Sequence, residues 1–223
     1  MRKILAIWIT KILIIIGKLA GKKGSSTPGA IALKICPDII EKLSKQVKNE
    51  IIAVCGTNGK TTTNNLIYSV LSSNGRKVVC NNVGANMLYG VTTAFINSSN
   101  IFGKLDADYA CIEIDEFSTV HVFEHMKPDY IVLTNLFRDQ LDRFGEIDIT
   151  IDCLSRAVKM VPDAKLILNG DDPLVTAFGM NTDNKCVYFG VGENVGISLN
   201  ETKEGRFCRF CGEELFYNYY HYS

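Results

Sequence analysis

The chain has 223 residues with 24 basic and 24 acidic side chains, and 47% of its residues are hydrophobic. This composition excludes an intrinsically disordered chain and a collagen-like polymer. The length allows one sizeable α/β core with a small appendage, and it is too short for a large two-domain enzyme.

The zero net charge hides an asymmetry, because residues 1–60 carry 11 Lys/Arg and 3 Asp/Glu whereas residues 61–223 carry 13 and 21. Six of these bases lie in residues 1–23 between isoleucines and leucines, which predicts an N-terminal helix. Lys11 interrupts the apolar residues, and the unbroken run at residues 12–16 is far shorter than the ~20 residues that a spanning helix needs. We therefore expect a packed helix, with a basic helix at a membrane surface as the alternative. An export or spanning segment is the least favoured option, since no small-residue cleavage site follows.

The rest of residues 1–50 looks like a lead-in, with a turn-rich linker at residues 21–29. A short helix follows, with four apolar residues in register: Ile39, Ile40, Leu43 and Val47.

From residue 51 the pattern alternates between strand and helix. Apolar runs predict β-strands at residues 51–55, 77–80, 109–114, 130–134, 165–169 and 186–189. Helices are predicted over residues 61–74 and 147–160, and Asp172 followed by Pro173 predicts the start of another. Wholly apolar strands that alternate with helices indicate an α/β fold with a doubly wound, mostly parallel sheet over residues 51–190. Ligands of such a sheet lie beyond the carboxyl ends of the strands.

The cysteines favour a reducing, cytoplasmic compartment. Four of the eight lie in or beside apolar runs, where a free cysteine behaves as a small hydrophobe: Cys55, Cys80, Cys111 and Cys186. Residues 191–223 hold Cys208 and Cys211 in zinc-ribbon spacing, which predicts half of a structural zinc site with His221 as a candidate third ligand. A redox pair is the alternative. His121 and His125 lie one helical turn apart and are expected to have structural or surface roles.

The strongest chemical signal is a glycine-rich segment between the first predicted strand and the first predicted helix. Backbone N–H groups in such a segment cradle phosphate, its lysine reaches the β- and γ-phosphate oxygens, and a hydroxyl binds Mg²⁺. Two residues rather than four separate its glycines, so the prediction depends on the strand before it and the helix after it. The segment reads Gly56, Thr57, Asn58, Gly59, Lys60, Thr61 and Thr62.

This segment resembles the phosphate loop of the Mur ligases, the ATP-dependent amide-forming enzymes of peptidoglycan synthesis, and that of the related folylpolyglutamate synthases. Glu113, at the end of the third predicted strand, lies where the family has a glutamate that binds Mg²⁺. Residues 134–145 resemble the family's Asn-x-x-x-Asp-His-x-Asp segment, and residues 169–173 match its adenine-contacting Asn-x-Asp-Asp stretch. The resemblance extends over nearly the whole chain.

The resemblance implies roles for particular residues, and the chemistry of hard oxygen ligands agrees with the metal assignment. Lys60 and Glu113 would be catalytic, Thr61 and Glu113 would hold Mg²⁺, and Asn169 and Asp171 would join residues 56–62 in binding ATP. Asp115 and Glu116 could support the site or form an acidic surface turn, and a charged helix start is the alternative for residues 138–143. Residues expected to touch substrate or support the site are Asn82, Asn86, Asp115, Asn135, Arg138, Asp139 and Asp142.

Gln140 replaces the metal-associated histidine that most Mur ligases have at this position. The difference resembles one branch of the family, in which ammonia comes from a separate GatD-like glutaminase and amidates the α-carboxyl of D-glutamate in the lipid II peptide stem. That branch implies a second Cys-x-x-Cys and a further domain beyond residue 223, so the chain is expected to be truncated and inactive alone. The alternatives are an amino-acid-adding ligase and a non-catalytic ATP-binding module. Nucleic acid is not an expected partner, because the basic run lacks a stacking platform beyond Trp8.

Overall fold

A computed structural model of the chain describes residues 1–19, 21, 26–81, 85–137, 146–192 and 207–216. Three helices come first: α1 (Arg2–Leu19), α2 (Ser26–Ile35) and α3 (Ile39–Ser44). They are followed by β1 (Val47–Cys55), α4 (Lys60–Ser73), β2 (Val78–Cys80), α5 (Leu88–Ser98), β3 (Ala107–Glu113), a single 3₁₀ turn (Glu116–Ser118), α6 (Thr119–His125) and β4 (Tyr130–Leu133). The last elements are α7 (Glu146–Lys159), β5 (Lys165–Asn169), α8 (Pro173–Met180) and β6 (Cys186–Phe189).

The six strands in the described part of the chain form one sheet in the order β2-β3-β1-β4-β5-β6, and every neighbouring pair is parallel. The predicted α/β fold with a doubly wound parallel sheet is therefore confirmed. β1 lies between β3 and β4, so the chain passes to opposite sides of β1 at this point. Such a switch point opens a crevice at the carboxyl ends of the strands. The residues that end β1, β3 and β4 are Cys55, Glu113 and Leu133.

β1 begins at Val47, earlier than the predicted start at residue 51. Val47 pairs with Ala107, and after an irregularity the register resumes at Glu50 opposite Tyr109. The prediction that Val47 extends the short helix is wrong, because α3 ends at Ser44. A β-branched residue with a partner strand beside it adopts the extended backbone readily.

The linker predicted at residues 21–29 is wrong from Ser26 onward, because α2 begins there. Pro28 lies in the first turn of α2, where a proline removes no intrahelical hydrogen bond. Gly29 is buried against α5, and a Cβ atom on it would lie 1.9 Å from the carbonyl oxygen of Tyr89. The glycine therefore serves a close helix contact rather than a turn.

Helices α5 and α6 were not predicted. α5 buries Phe95 and Ile96 in the core, and packing of this kind stabilises a helix whose own propensity is low. In α6 the exposed His121 and half-buried His125 lie one turn apart, as expected. Their structural or surface roles stay a prediction.

α1 packs against α2 and α5 and buries Ala6, Ile7 and Thr10, so the predicted packing is confirmed for this face of the helix. Within the described parts of the chain, no helix is long and apolar enough to cross a membrane. One continuous core runs from Ala6 in α1 to Phe178 in α8. The division into residues 1–50, 51–190 and 191–223 stays a prediction.

Candidate nucleotide-binding site

The glycine-rich loop lies between β1 and α4, in the strand-loop-helix context that a phosphate-binding loop requires. Gly56 has φ +121°, and a Cβ atom on it would lie 2.3 Å from Thr134 Oγ1. Gly59 has φ +78° and open space where its Cβ would be. One glycine therefore permits close packing against the end of β4, and the other supplies a left-handed backbone beside an open region. Lys60, Thr61 and Thr62 form the first turn of α4, where N–H groups have no intrahelical acceptor and can bind phosphate.

The segment after β4 holds this loop in place. Asn135 Oδ1 accepts a hydrogen bond from the amide of Asn58 at 2.8 Å, and Asn135 Nδ2 donates to the Asn58 carbonyl at 2.9 Å. Thr134 Oγ1 donates to the same carbonyl at 2.7 Å. Thr57 Oγ1 accepts from the amide of Phe137 at 3.0 Å. Asn135 was expected to support the site, and its contact with the loop is a supporting one.

The side chain of Lys60 is folded back on its own loop. Its Nζ donates to the carbonyl oxygens of Gly56 and Thr57 at 2.5 and 3.0 Å, and it lies 3.1 Å from Glu116 Oε1. The same Glu116 oxygen accepts the Gly56 amide at 2.9 Å. Both side chains of the ion pair are largely buried. The sequence left Glu116 open between a supporting role and an acidic surface turn, and its contacts with Lys60 and Gly56 are supporting ones.

Glu113 is the most distinctive acidic residue at this edge, because its carboxylate is buried and only half satisfied. The residue is 2% exposed, and Oε1 accepts a hydrogen bond from Asn86 Nδ2 at 3.1 Å. Oε2 has no hydrogen-bond partner within the part of the chain that the structure describes. A buried anionic oxygen without a partner is unfavourable, and a divalent cation is the ligand that would satisfy it.

Asn81 fixes the backbone of Glu113 from both sides. Asn81 Nδ2 donates to the Glu113 carbonyl at 2.7 Å, and Asn81 Oδ1 accepts the Glu113 amide at 2.8 Å. The amide of Asp115 donates to the carbonyl of Asn86 at 2.9 Å, which ties the same loop to the residues after β3. Asn81 was missed as a site residue, because its role depends on a contact 32 positions away in sequence.

Glu113 pairs in register with Val54 of β1, two residues before Gly56. Thr61, the second residue of α4, follows the same strand and is exposed. The residues expected to hold Mg²⁺ therefore follow neighbouring strands at one edge of the sheet, and they offer the hard oxygen donors that Mg²⁺ prefers. On these observations the residues present fit the metal.

Three residues at the end of β5 connect neighbouring strands. Asn169 Nδ2 donates to the Thr134 carbonyl at 2.9 Å, and Asn169 Oδ1 accepts the Asp171 amide at 3.0 Å. Asp172 Oδ1 accepts the Leu174 amide at 2.8 Å, so the predicted helix start at Asp172 is confirmed. Burial raises the pKa of Asp172. The adenine-binding roles of Asn169 and Asp171 stay predictions.

Other expected site residues fare differently. Asp115 caps the 3₁₀ turn, with Oδ1 accepting the amide of Phe117 at 3.1 Å. This contact gives it a structural role in the turn. Several predicted residues lie outside the described part of the chain: Asn82, Arg138, Asp139, Gln140, Asp142, Arg143 and His221.

Cys208 and Cys211 lie in a tight turn closed by the Gly212 amide, which donates to the Cys208 carbonyl at 2.9 Å. Hydrogen bonds from the backbone of Cys211 and Phe210 lower the pKa of the Cys208 thiol. Two thiols do not complete a closed zinc site, and the described residues contain no group of three metal-ligating side chains. The predicted zinc site is therefore not supported.

Comparison with known proteins places these features in a family. The model of the Mur ligase middle domain matches residues 54–217, so the chain belongs to the Mur ligase family. Over its whole length it is 42% identical to MurT of Staphylococcus aureus (strain COL), named as a subunit of a glutamine-hydrolysing lipid II isoglutaminyl synthase, and it covers 50% of that protein. It is 37% identical to MurT of Streptococcus pneumoniae (strain ATCC BAA-255 / R6), covering 90% of this chain and 44% of the relative. The chain thus spans about half the length of the curated relatives it matches.

Solved structures agree with the fold. The MurF ligase of Thermotoga maritima in complex with ADP aligns with a TM-score of 0.59 and 20% identity, covering 73% of this chain and 37% of that one. MurF from Acinetobacter baumannii aligns with a TM-score of 0.59 and 20% identity, covering 74% of this chain and 35% of the MurF chain. The predicted resemblance to the Mur ligases is confirmed. The names of the MurT relatives refer to glutamine hydrolysis, in line with the branch that Gln140 suggests.

Proposed function

We propose that the chain supplies the ATP-binding part of a lipid II amidating ligase in peptidoglycan synthesis. The target would be the α-carboxyl of D-glutamate in the lipid II peptide stem. Ammonia would come from a separate GatD-like glutaminase subunit, in line with the name of the MurT relatives. The observation that carries the proposal is the buried, half-satisfied Glu113 carboxylate at the edge where the phosphate loop begins.

The chemistry requires activation of a carboxylate. A carboxylate oxygen is a poor leaving group, so ammonia does not displace it directly. Attack of the carboxylate on the γ-phosphate of ATP forms an acyl phosphate and releases ADP. Ammonia then attacks the acyl carbon and releases phosphate, which leaves an amide. The work left to the protein is to position the phosphates and to neutralise their charge.

The described residues suit that work. The first-turn amides of α4 would bind the phosphates, and the Lys60 ammonium would move from Glu116 to the β- and γ-phosphate oxygens. Thr61 and Glu113 would hold Mg²⁺, which when bound neutralises charge on phosphate oxygens. Asn81 and Asn86 would keep the Glu113 carboxylate in the orientation seen here. Asn169 and Asp171 would lie near the adenine. Use of ATP and a reducing environment for its cysteines would place the protein in the cytoplasm.

The first experiment measures ATP binding by isothermal titration calorimetry with and without Mg²⁺. Lys60→Ala should weaken binding at least about tenfold, because a charge-assisted contact to phosphate is lost. The matched control is Lys185→Ala, which removes an exposed lysine next to β6. Equal affinity of the Lys60→Ala variant and the parent protein would remove the basis of the phosphate-loop assignment. Little or no turnover is expected from the chain alone.

A second experiment identifies the amine. The chain replaces the matching half of the Staphylococcus aureus MurT relative, and the chimera is expressed with that organism's glutaminase subunit. ADP release in the presence of lipid II should depend on ammonia or glutamine. Turnover with a free amino acid in place of ammonia would favour an amino-acid-adding ligase. ATP binding without any turnover, where the unaltered relative is active, would favour a non-catalytic ATP-binding module.

A further inference from the structure

Helix α1 has two apolar faces, and the described residues cover only one of them. Its inner face buries Ala6 and Ile7 against the protein. The outer side chains recur at spacings of three and four residues, which places them on one side of the helix. They are between 37% and 84% exposed: Ile4, Leu5, Trp8, Ile12, Ile15, Ile16 and Leu19.

The loop between α5 and β3 extends this apolar surface. Ile101 and Phe102 are 54% and 71% exposed. Trp8 Nε1 donates a hydrogen bond to the Ile101 carbonyl at 2.7 Å, so the loop is fixed to α1. A Cβ atom on Gly103 would lie 2.9 Å from Ile7 Cδ1, which shows how closely the loop approaches the helix. We call the outer side chains of α1 together with Ile101 and Phe102 the apolar platform.

Polar groups at the centre of the platform already have hydrogen-bond partners, so the platform can be buried without leaving them unsatisfied. The indole N–H of Trp8 already has its acceptor, and Asn100 Oδ1 accepts the amides of Phe102 and Lys104, both at 2.9 Å. Burying Trp8, Ile101 and Phe102 against an apolar phase would therefore break none of these hydrogen bonds. Exposed contiguous apolar surface of this kind marks an interaction site.

Charge identifies the partner. Residues 1–37 contain seven Lys and Arg and no Asp or Glu. Lys11 and Lys18, seven residues apart, lie along one flank of the platform, and Arg2 lies on the other. A helix with an apolar face bordered by basic residues is typical of helices that lie in the headgroup region of anionic membranes.

We propose that the apolar platform docks the protein onto an anionic lipid bilayer, with α1 lying along the membrane surface. α1 is too polar to span, so a surface position is the one its length and charges allow. The proposal goes beyond the ligase function and rests on the contacts of the platform. If the substrate is lipid-linked, docking would also raise the concentration of substrate near the phosphate loop.

Trp8 is the only tryptophan of the chain and lies within the platform, so its fluorescence reports docking directly. The full chain is mixed with vesicles of phosphatidylcholine alone and with vesicles that also contain phosphatidylglycerol. We expect co-sedimentation, a blue shift of Trp8 emission and quenching by bromine-labelled lipid tails, all with the anionic vesicles. Absence of both vesicle binding and an emission shift would overturn the proposal.

Variants distinguish docking through the platform from non-specific binding to vesicles. Ile12→Glu with Ile16→Glu should lower vesicle affinity by at least about tenfold, because both side chains are exposed and a charge opposes entry into the acyl region. The matched control is Leu66→Glu with Val70→Glu, the same change on two exposed side chains of α4, which should leave vesicle binding unchanged. Equal loss in both pairs would refute the platform as the docking surface.

Two other occupants would give different results. If a second copy covers the platform, Ile12→Glu with Ile16→Glu would convert a dimer to a monomer in sedimentation velocity, without vesicle binding by the parent. If another part of a longer protein covers it, Trp8 emission would shift only when the remaining half of a MurT relative is added. Either result overturns the membrane proposal. ATP binding of each variant is measured alongside, so failure of docking is distinguished from failure of the proposed ligase function.

Discussion

Glu116 Oε1 lies 3.1 Å from Lys60 Nζ and accepts the amide hydrogen bond of Gly56 at 2.9 Å. One carboxylate oxygen thus holds both the lysine and the first glycine of the phosphate loop. In this arrangement the Lys60 ammonium is satisfied by the loop itself. A nucleotide bound as proposed would therefore compete with Glu116 for the lysine, and the strength of that competition would set part of the affinity for phosphate.

Glu116→Gln keeps an acceptor for the Gly56 amide but removes the negative charge. The protein without nucleotide should lose about 1–3 kcal/mol of stability, because the largely buried Lys60 loses its ion partner but keeps two carbonyl acceptors. The triphosphate restores a partner, so ATP should raise the melting temperature more in the variant than in the parent. Differential scanning fluorimetry with and without ATP measures this. Glu124→Gln, the same change on an exposed residue of α6, should alter neither value. A smaller ATP-induced shift in Glu116→Gln would contradict the competition.

Glu113→Gln tests the metal assignment. The variant removes a buried negative charge whose Oε2 atom has no partner within the described residues, so stability without Mg²⁺ should stay equal or rise. Mg²⁺ should increase the affinity for ATP in the parent protein, and this increase should be about tenfold smaller in Glu113→Gln, because a hard anionic ligand is lost. Calorimetry with and without Mg²⁺ checks both parts. A full Mg²⁺ effect in Glu113→Gln would exclude this carboxylate as a ligand.

The glycines provide a matched comparison. Gly59 and Gly75 have φ values of +78° and +73°, and no atom of the described residues lies within 4 Å of either Cβ position. Alanine at either site should destabilise the protein by about 1 kcal/mol, since both impose a left-handed backbone on an L-residue. Only Gly59→Ala should also weaken ATP binding, because Gly75 lies at the other end of α4. Equal ATP affinity in the two variants would argue against a phosphate beside Gly59. Chemical denaturation and calorimetry give the two quantities.

Gly56→Ala should be more severe than either. Its Cβ would lie 2.3 Å from Thr134 Oγ1 and 2.9 Å from the Asn135 carbonyl oxygen, so the loop and the end of β4 must separate. A loss of about 2–4 kcal/mol is expected from the clash together with the unfavourable φ of +121°. A loss no greater than that of Gly75→Ala would show that the two segments can move apart freely.

The ionised Asp106 carboxylate should stabilise the protein at neutral pH and lose this effect in acid. Its carboxylate pairs with Lys48 at 2.6 Å and with Lys77, and hydrogen bonds from these lysines lower its pKa from 3.8 to about 2. Because the folded protein binds the proton less readily than the unfolded chain, the stabilisation is full above pH 3.8 and is lost as the pH falls toward about 2. At neutral pH the parent protein should have a higher melting temperature than the Asp106→Asn variant. This difference in melting temperature should shrink in acid. Asp183→Asn, an exposed control, should show no such convergence.

Some elements were accessible to sequence reasoning for a clear physical reason. Strands β5 and β6 were predicted at their observed bounds, because apolar runs between polar turns leave few alternatives in a parallel sheet. The phosphate loop was recognised because its glycines and Lys60 follow β1 directly. Helix α5 was missed, because it depends on close packing against Gly29 and on a buried Phe95 rather than on its own propensity.

Some site residues could likewise be predicted from the sequence, and others depend on long-range contacts. Lys60 and Glu113 were predicted from local motifs. The positioning role of Asn81 and the contact of Glu116 with Gly56 bridge residues 32 and 60 positions apart, which no local pattern encodes. The hydrogen bonds of Asn135 to Asn58 likewise exist only once β4 lies beside β1. Long-range register, rather than motif chemistry, decides which polar side chains hold the loop.

The cysteines in the turn at Cys208 should react faster with a thiol reagent than the cysteines in the sheet. Burial raises the pKa of Cys111 to about 12 and that of Cys55 well above 9.0, whereas backbone hydrogen bonds lower the pKa of Cys208. Because the thiolate is the reactive form, iodoacetamide at neutral pH should modify Cys208 and the exposed Cys211 first. Cys55 and Cys111 should react only after unfolding in denaturant. Peptide mass spectrometry over a time course gives the order. Early modification of Cys55 would mean that the carboxyl end of β1, where the phosphate loop begins, opens readily in the folded protein.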